Sequence, residues 1–208
     1  MVWCCFLRQK MSQKASGCSD LILKSMSDDR KLNVVDEDEN IVGVETRENI
    51  HKIGLLHREI HIWFYTPQGE IIFQHRAKDK DTYPGLLDAT VGGHVEIGDD
   101  YMGTALKEVE EETGVRVEEG ELQYLKTDRS SSYDNLTGKK NNVIRTVYAY
   151  CYTESVSDLR VEDGKAIGFE SWPLDTILDI SDDDRKRFIP TIFEHNNLES
   201  FNMIRNLL

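Results

Sequence analysis

The stretch Gly92-Gly93-His94-Val95-Glu96-Ile97-Gly98-Asp99-Asp100, resumed after six residues by Lys107-Glu108-Val109-Glu110-Glu111-Glu112-Thr113-Gly114-Val115, decides how this chain folds. Asp100 is placed to cap a helix, because its carboxylate accepts from the free amides of a first turn. Gly114 is placed to end it, since glycine takes the left-handed conformation at little cost. Ala105, Leu106 and Val109 give the intervening helix an apolar stripe. Glu108, Glu111 and Glu112 stand at i, i+3 and i+4 and share one face, where like charges repel by a few tenths of a kcal/mol per pair, roughly. A Glu-rich run is most often a solvated face. The glycines ahead of it change the reading, because they let the backbone turn tightly and bring a carbonyl, that of Gly92, close to a hard dication that three carboxylates would hold.

Outward from this centre, the chain reads as alternating strands with few helices. Asn33–Asp36 and Ile41–Val44 flank the acidic turn Glu37-Asp38-Glu39-Asn40 and predict a hairpin. Arg58–Tyr65 alternates and then becomes continuously apolar, as a central strand does; Pro67-Gln68-Gly69-Glu70 is turn chemistry before the returning strand Ile71–Gln74. A short strand is expected over Leu86–Val91, the helix over Asp100–Thr113, and strands near Leu122–Lys126, Val143–Thr153 and Ile167–Trp172. Arg129-Ser130-Ser131-Ser132-Tyr133 reads as loop. In the tail, Asp182-Asp183-Asp184 favours a helix N-terminus, and Phe188, Ile192 and Phe193 repeat at helical spacing. The class is therefore mixed, α/β or α+β, in sandwich form. Trp63 and Trp172 are expected in the core.

The residues from Gly93 to Val115 resemble the Nudix family, whose box is written G-x5-E-x7-R-E-U-x-E-E-x-G-U with U a bulky aliphatic. Gly93, Glu108, Val109, Glu111, Glu112, Gly114 and Val115 fill their positions, while Asp99 stands for the first Glu and Lys107 for the Arg. The resemblance implies a Nudix α/β/α sandwich with a mixed sheet and a catalytic loop–helix–loop. It implies that Glu108, Glu111 and Glu112 bind Mg²⁺, with Mn²⁺ as a substitute, and that one carboxylate activates the attacking water; Glu111 and Glu108 are the candidates. The Arg of the family orients those carboxylates. Lys107 keeps the charge but not the planar fork.

The likeness spans roughly residues 33 to 175. The segments Glu48–Arg58, Gln74–Gly85 and Asp88–His94 resemble the branch of Nudix proteins closest to isopentenyl-diphosphate isomerase. Arg76 and Lys80 then become candidates to hold substrate phosphate, His94 to approach substrate, and Glu170 to supply a carboxylate beyond the box. The isomerase relies on a cysteine beside the glycine–histidine pair, where this chain has Gly92, and Cys151 lies far along the chain. The expectation is thus a hydrolase of a nucleoside or organic diphosphate, with an isomerase-like enzyme and a non-catalytic ligand-binding domain as alternatives.

Composition bounds the partners. Thirty-eight acidic residues against 25 basic ones leave a net charge of −13, which argues against wide contact with a nucleic acid polymer. No apolar run approaches the roughly 20 residues of a membrane span. Cys4, Cys5, Cys18 and Cys151 form no Cys-x-x-Cys pair, so a reducing, cytoplasmic setting is expected. Residues 1–30 read as a disordered extension and residues 31–208 as the domain with its C-terminal helices. Family likeness also implies a homodimer as one assembly.

Overall fold

Alternation along one strand arranges the whole molecule. In the computed structural model, which describes residues 30–80, 82–135 and 137–208, β3 (His57–Tyr65) lies at the centre of a seven-stranded mixed sheet. The extension expected over residues 1–30 lies outside the described residues except for Arg30. Successive side chains of a strand face opposite ways. Ile60, Ile62 and Phe64 accordingly pack on one side, against Ala105 and Val109 of the helix α2 (Tyr101–Thr113). Trp63 and Tyr65 pack on the other, with Phe201 and Ile204 of α5 (His195–Arg205). Burial of each such side chain is worth about 1.5–3 kcal/mol. The result is the expected α/β/α sandwich.

The expected hairpin forms as β1 (Lys31–Val35) and β2 (Ile41–Thr46), which pair with each other as a separate two-stranded sheet. Asp36 closes its turn, accepting from the amides of Asp38 and Asn40 at 3.0 and 2.9 Å. A helix that the sequence did not announce, α1 (Arg47–Ile53), follows, capped by Thr46 and ended by Gly54 at φ +84°. It buries only Ile50 and is too short for periodicity to reveal it.

Within the large sheet β3 runs parallel to β8 (Lys140–Cys151), which forms a long antiparallel pair with β7 (Gln123–Tyr133). Arg129–Tyr133 is therefore strand rather than loop. Its serines pair with Val143, Asn142 and Asn141, and backbone bonds, not buried side chains, hold them there. On the other side β3 pairs with β4 (Glu70–Arg76) only through Phe64 and Tyr65, and the two strands then diverge. The expected strand over Leu86–Val91 is consequently split: β5 (Leu87–Asp88) follows β4, and β6 (Val91–His94) follows β3. Thr90 stands at the fork. Its hydroxyl accepts from the Phe64 amide at 3.0 Å and donates to the Ile72 carbonyl. The outer strand β9 (Ala166–Pro173) pairs along β4.

The tail is less regular than expected. After α3 (Leu174–Leu178) and α4 (Asp182–Arg185), Phe188 runs extended beside Leu87, with Ile189 N donating to the Leu87 carbonyl at 2.9 Å. Pro190 explains the break, because the residue before proline is pushed out of the helical region; Ile192 and Phe193 fall in a short 3₁₀ turn and still reach the core. Trp63 and Trp172 are core residues, as expected.

Because Thr90 joins the two strands at their fork, Thr90→Val should leave a buried amide and a buried carbonyl unmet. A loss of about 1–3 kcal/mol is expected, measured by urea unfolding; a change under a few tenths would show that the fork closes without it.

Candidate active site

Helix α2 forms as the sequence dictates. Asp100 accepts from the Gly103 amide at 2.7 Å, and Gly114, at φ +72°, closes the last turn on the Glu110 carbonyl at 2.9 Å. The three box glutamates share a face but differ in depth: Glu112 is buried, Glu108 half-buried and Glu111 exposed. Glu112 is fixed by Gln74 of β4, whose amide donates to it at 3.0 Å. Glu108 lies against Gly93: a Cβ on that glycine would come within 2.6 Å of the Glu108 carboxyl carbon, so glycine is what admits the carboxylate to the strand.

Between Glu108 and Glu112 stands Lys165, which the sequence reading did not single out. Its Nζ is 2.7 Å from Glu112 Oε1, 3.1 Å from Glu108 Oε2 and 3.1 Å from Glu162 Oε2. It lies in the turn Glu162-Asp163-Gly164-Lys165, more than fifty residues from the helix, and nothing in that composition separates it from a solvated loop. Burial pushes the Glu112 carboxyl up to about 7, even against the lowering by Lys165. A positive charge is what this pair demands. Lys80 approaches the same charges: burial lowers its ammonium, with Arg76 and Lys165 adding to the effect and Glu112 opposing it.

The other expected residues are placed differently. Lys107 bonds Glu96 at 2.9 Å on the surface, and none of its bonds reaches a box glutamate; its helical position turns it toward the loop ahead of the helix. Arg76 donates to Asp88 at 2.6 Å and to the Thr82 carbonyl at 3.0 and 3.1 Å, so its guanidinium closes its own loop instead of facing the carboxylates. Gly92 faces His61 while Gly93 faces Glu108. His94 and Glu170 lie on the opposite side of the sheet from Glu112, again by strand alternation: Gln74 points to α2, whereas Phe73 and its register partner Glu170 point to the C-terminal helices. Glu170 is there bound by His75 at 2.8 Å, by Trp172 at 2.9 Å and by Arg187 at 2.7 Å.

His94 belongs to a second constellation. One ring nitrogen from each of His51, His57 and His94 lies within 4.8 Å of the others. The His57 and His94 rings stack, with centroids 5.1 Å apart. Nδ1 of His57 donates to the Leu55 carbonyl at 3.0 Å and Nδ1 of His51 to the Lys140 carbonyl at 3.3 Å, which leaves lone pairs on their Nε2 atoms. All three Nε2 atoms are buried without a hydrogen-bond partner among the described residues. Burial drives the His51 imidazole down to about 4, His57 down and His94 far down, so the cluster is neutral near pH 7. Nearby Glu59 is pushed up by burial, but Arg145 and His61 overcome this and hold it well below the carboxylate range.

Two donor sets thus lie on opposite faces of one sheet. The carboxylates suit a hard cation such as Mg²⁺; the imidazoles suit a borderline transition metal.

The comparisons agree with the fold and decide the family. The NUDIX domain model matches residues 55–192. The chain belongs to the Nudix family. An uncharacterized Nudix hydrolase of Yersinia pestis is 38% identical over 84 residues, 40% of this chain and 46% of that protein. Another, from Streptomyces coelicolor, is 38% identical over 88 residues, 42% of this chain and 49% of that protein. The chain spans about half the length of the relatives it matches. Among solved structures, a Deinococcus radiodurans protein matches with a TM-score of 0.60 at 18% identity, covering 84% of this chain and 98% of its own. The NUDIX domain of Shewanella oneidensis NrtR, complexed with ADP ribose, matches with a TM-score of 0.50 at 17% identity, covering 73% of this chain and 87% of its own. These likenesses concern the fold of the Nudix domain.

The histidine cluster carries a pH signature. Unfolded histidines take up protons near pH 6.5, roughly, whereas the folded ones resist until about 4 in the case of His51. The unfolded state therefore binds more protons, and stability falls as pH drops below the unfolded value. Glu112, raised to about 7, acts in the opposite sense over the same window, so the signature is a difference. In chelator, urea unfolding should show stability falling more steeply from about pH 6.5 to 5 in the unaltered chain than in His94→Gln; equal slopes would contradict the neutral cluster.

Proposed function

We propose that this Nudix protein is a hydrolase of a pyrophosphate bond in a small phosphorylated compound, a nucleoside or organic diphosphate, dependent on Mg²⁺ or Mn²⁺. The observation that carries this reading is the buried Glu112 beside Glu108, admitted by Gly93 and bearing a carboxyl raised to about 7. Glu108, Glu111 and Glu112 would hold the metal. When bound, it supplies neutralisation of phosphate charge and acidification of the attacking water.

The chain's own residues then divide the work. Gln74 fixes the Glu112 oxygen that faces it, so the carboxylate keeps one orientation. Glu111 is exposed and is the carboxylate that accepts the water's proton. Lys107, through Glu96, holds the loop ahead of the helix rather than orienting the glutamates directly. Lys80 is a cation available to a substrate phosphate on this face, and Arg76 shapes the loop that carries it.

A second reading, an isomerase-like transformation of a diphosphate, has one observation in its favour. The segments Glu48–Arg58 and Asp88–His94, which resemble that branch, are the ones that bring His51, His57 and His94 together.

The decisive experiment is a panel of nucleoside diphosphate compounds, ADP ribose and isopentenyl diphosphate, assayed with Mg²⁺ and with chelator. Metal-dependent release of phosphate or nucleotide is expected. Glu111→Gln and Glu112→Gln should each lower kcat by about 10²-fold or more while circular dichroism is unchanged. Normal turnover in both variants would sink the assignment; isomerised isopentenyl diphosphate without released phosphate would establish the second reading, and binding without turnover a ligand-binding domain.

A further inference from the structure

We propose that Lys165 is the exchangeable counter-charge of the carboxylate site: its ammonium neutralises Glu108 and Glu112 and gives up that place when a divalent cation binds. This rests on the reading of the box glutamates as metal ligands.

The geometry is that of a counter-charge rather than a surface ion pair. Lys165 Nζ bridges two carboxylates whose side chains are only 3% and 13% exposed, and reaches a third, Glu162, that is 39% exposed. Burial alone would lower the Lys165 ammonium, but Glu112 and Glu108 reverse this and raise it. Two carboxylates four residues apart on one helical face repel, the more so out of water. The ammonium removes that repulsion and keeps both groups turned toward a single point. Lysine suits the task because it is a compact point charge with donors free to rotate. An arginine fork would bind the pair in one fixed plane.

The same geometry makes the contact reversible. A dication drawn to Glu108 and Glu112 and an ammonium bonded to the same oxygens repel at contact distance, so both cannot keep the site. The backbone of Lys165 is fixed by Ala77, whose amide donates to its carbonyl at 3.1 Å. The side chain is not so confined. It is 32% exposed and has Glu162, the outermost of its partners, to bond when it leaves the inner two. The exchange therefore needs rotation of one side chain and no movement of the helix. It also leaves a second ammonium on the face where Lys80 feels the charges of Lys165 and Glu112.

The test is Mn²⁺ binding by electron paramagnetic resonance to the full chain and to Glu112→Gln, Lys165→Met and Lys165→Arg. It is paired with the acetylation rate of Lys165 by mass spectrometry, with Mn²⁺ and with chelator. Removing the competing charge should tighten Mn²⁺ binding at least fivefold in Lys165→Met, whereas Lys165→Arg should bind no tighter than the unaltered chain. Acetylation of Lys165 should be severalfold faster with Mn²⁺ than in chelator. Unchanged or weaker binding in Lys165→Met, or a metal-independent acetylation rate, would overturn the proposal. Should Glu112→Gln bind Mn²⁺ as the unaltered chain does, the carboxylate site itself falls, and the role of Lys165 with it. Loss of Mn²⁺ in Glu112→Gln with no gain in Lys165→Met removes the role of Lys165 alone.

Discussion

The period-two alternation of β3 is the constraint on which the rest of the structure depends. Ile60, Ile62 and Phe64 take one face and Trp63 and Tyr65 the other, so both faces must be covered by helices. A slip of one residue in its pairing would exchange the two faces and bury the wrong set of side chains. The same alternation, carried into β4, β6 and β9, sorts the polar groups: Gln74 and Gly93 turn toward α2, His94 and Glu170 away from it. Chemistry on this protein is therefore divided by a single layer of strands into a carboxylate side and an imidazole side.

The divergence of β3 and β4 gives the carboxylate side its form. Where the strands separate, Thr90 bridges them, and Gln74 can reach from β4 to Glu112 because no ladder partner from β3 lies in its way. Gly93 then brings the β6 backbone close enough to α2 that only a residue without Cβ leaves room for Glu108. Two glutamates become partly desolvated and close, an arrangement that burial penalises and positive charge relieves. Lys165 relieves it from a turn that joins β8 to β9. The imidazole side is its counterpart, with neutral rings whose lone pairs converge and a buried Glu59 kept ionised by Arg145.

Much of this was legible in the sequence, for a local reason. Asp100, Gly114 and the stripe between them fix a helix through contacts within a few residues. The spacing of Glu108, Glu111 and Glu112 places them on one face whatever the helix packs against. The alternating strand at residues 58–65 and the turn at Pro67–Glu70 are equally local, and so is the box from Gly93 to Val115 on which the family resemblance chiefly rests. What sequence reasoning placed wrongly were elements held by distant partners. Arg129–Tyr133 is strand because β8 lies beside it, and Phe188 is extended because Leu87 does.

The sequence by itself thus determined the capped helix, the acidic face on it and the sandwich class, since each follows from residues that are neighbours along the chain. Only the tertiary structure decided the depth of each glutamate, the engagement of Arg76 with its own loop, and the exile of His94 and Glu170 to the far face. It alone brought Lys165 to Glu112, and His51 and His57 to His94. Those outcomes depend on which strands pair and where they part, and no local pattern carries that information.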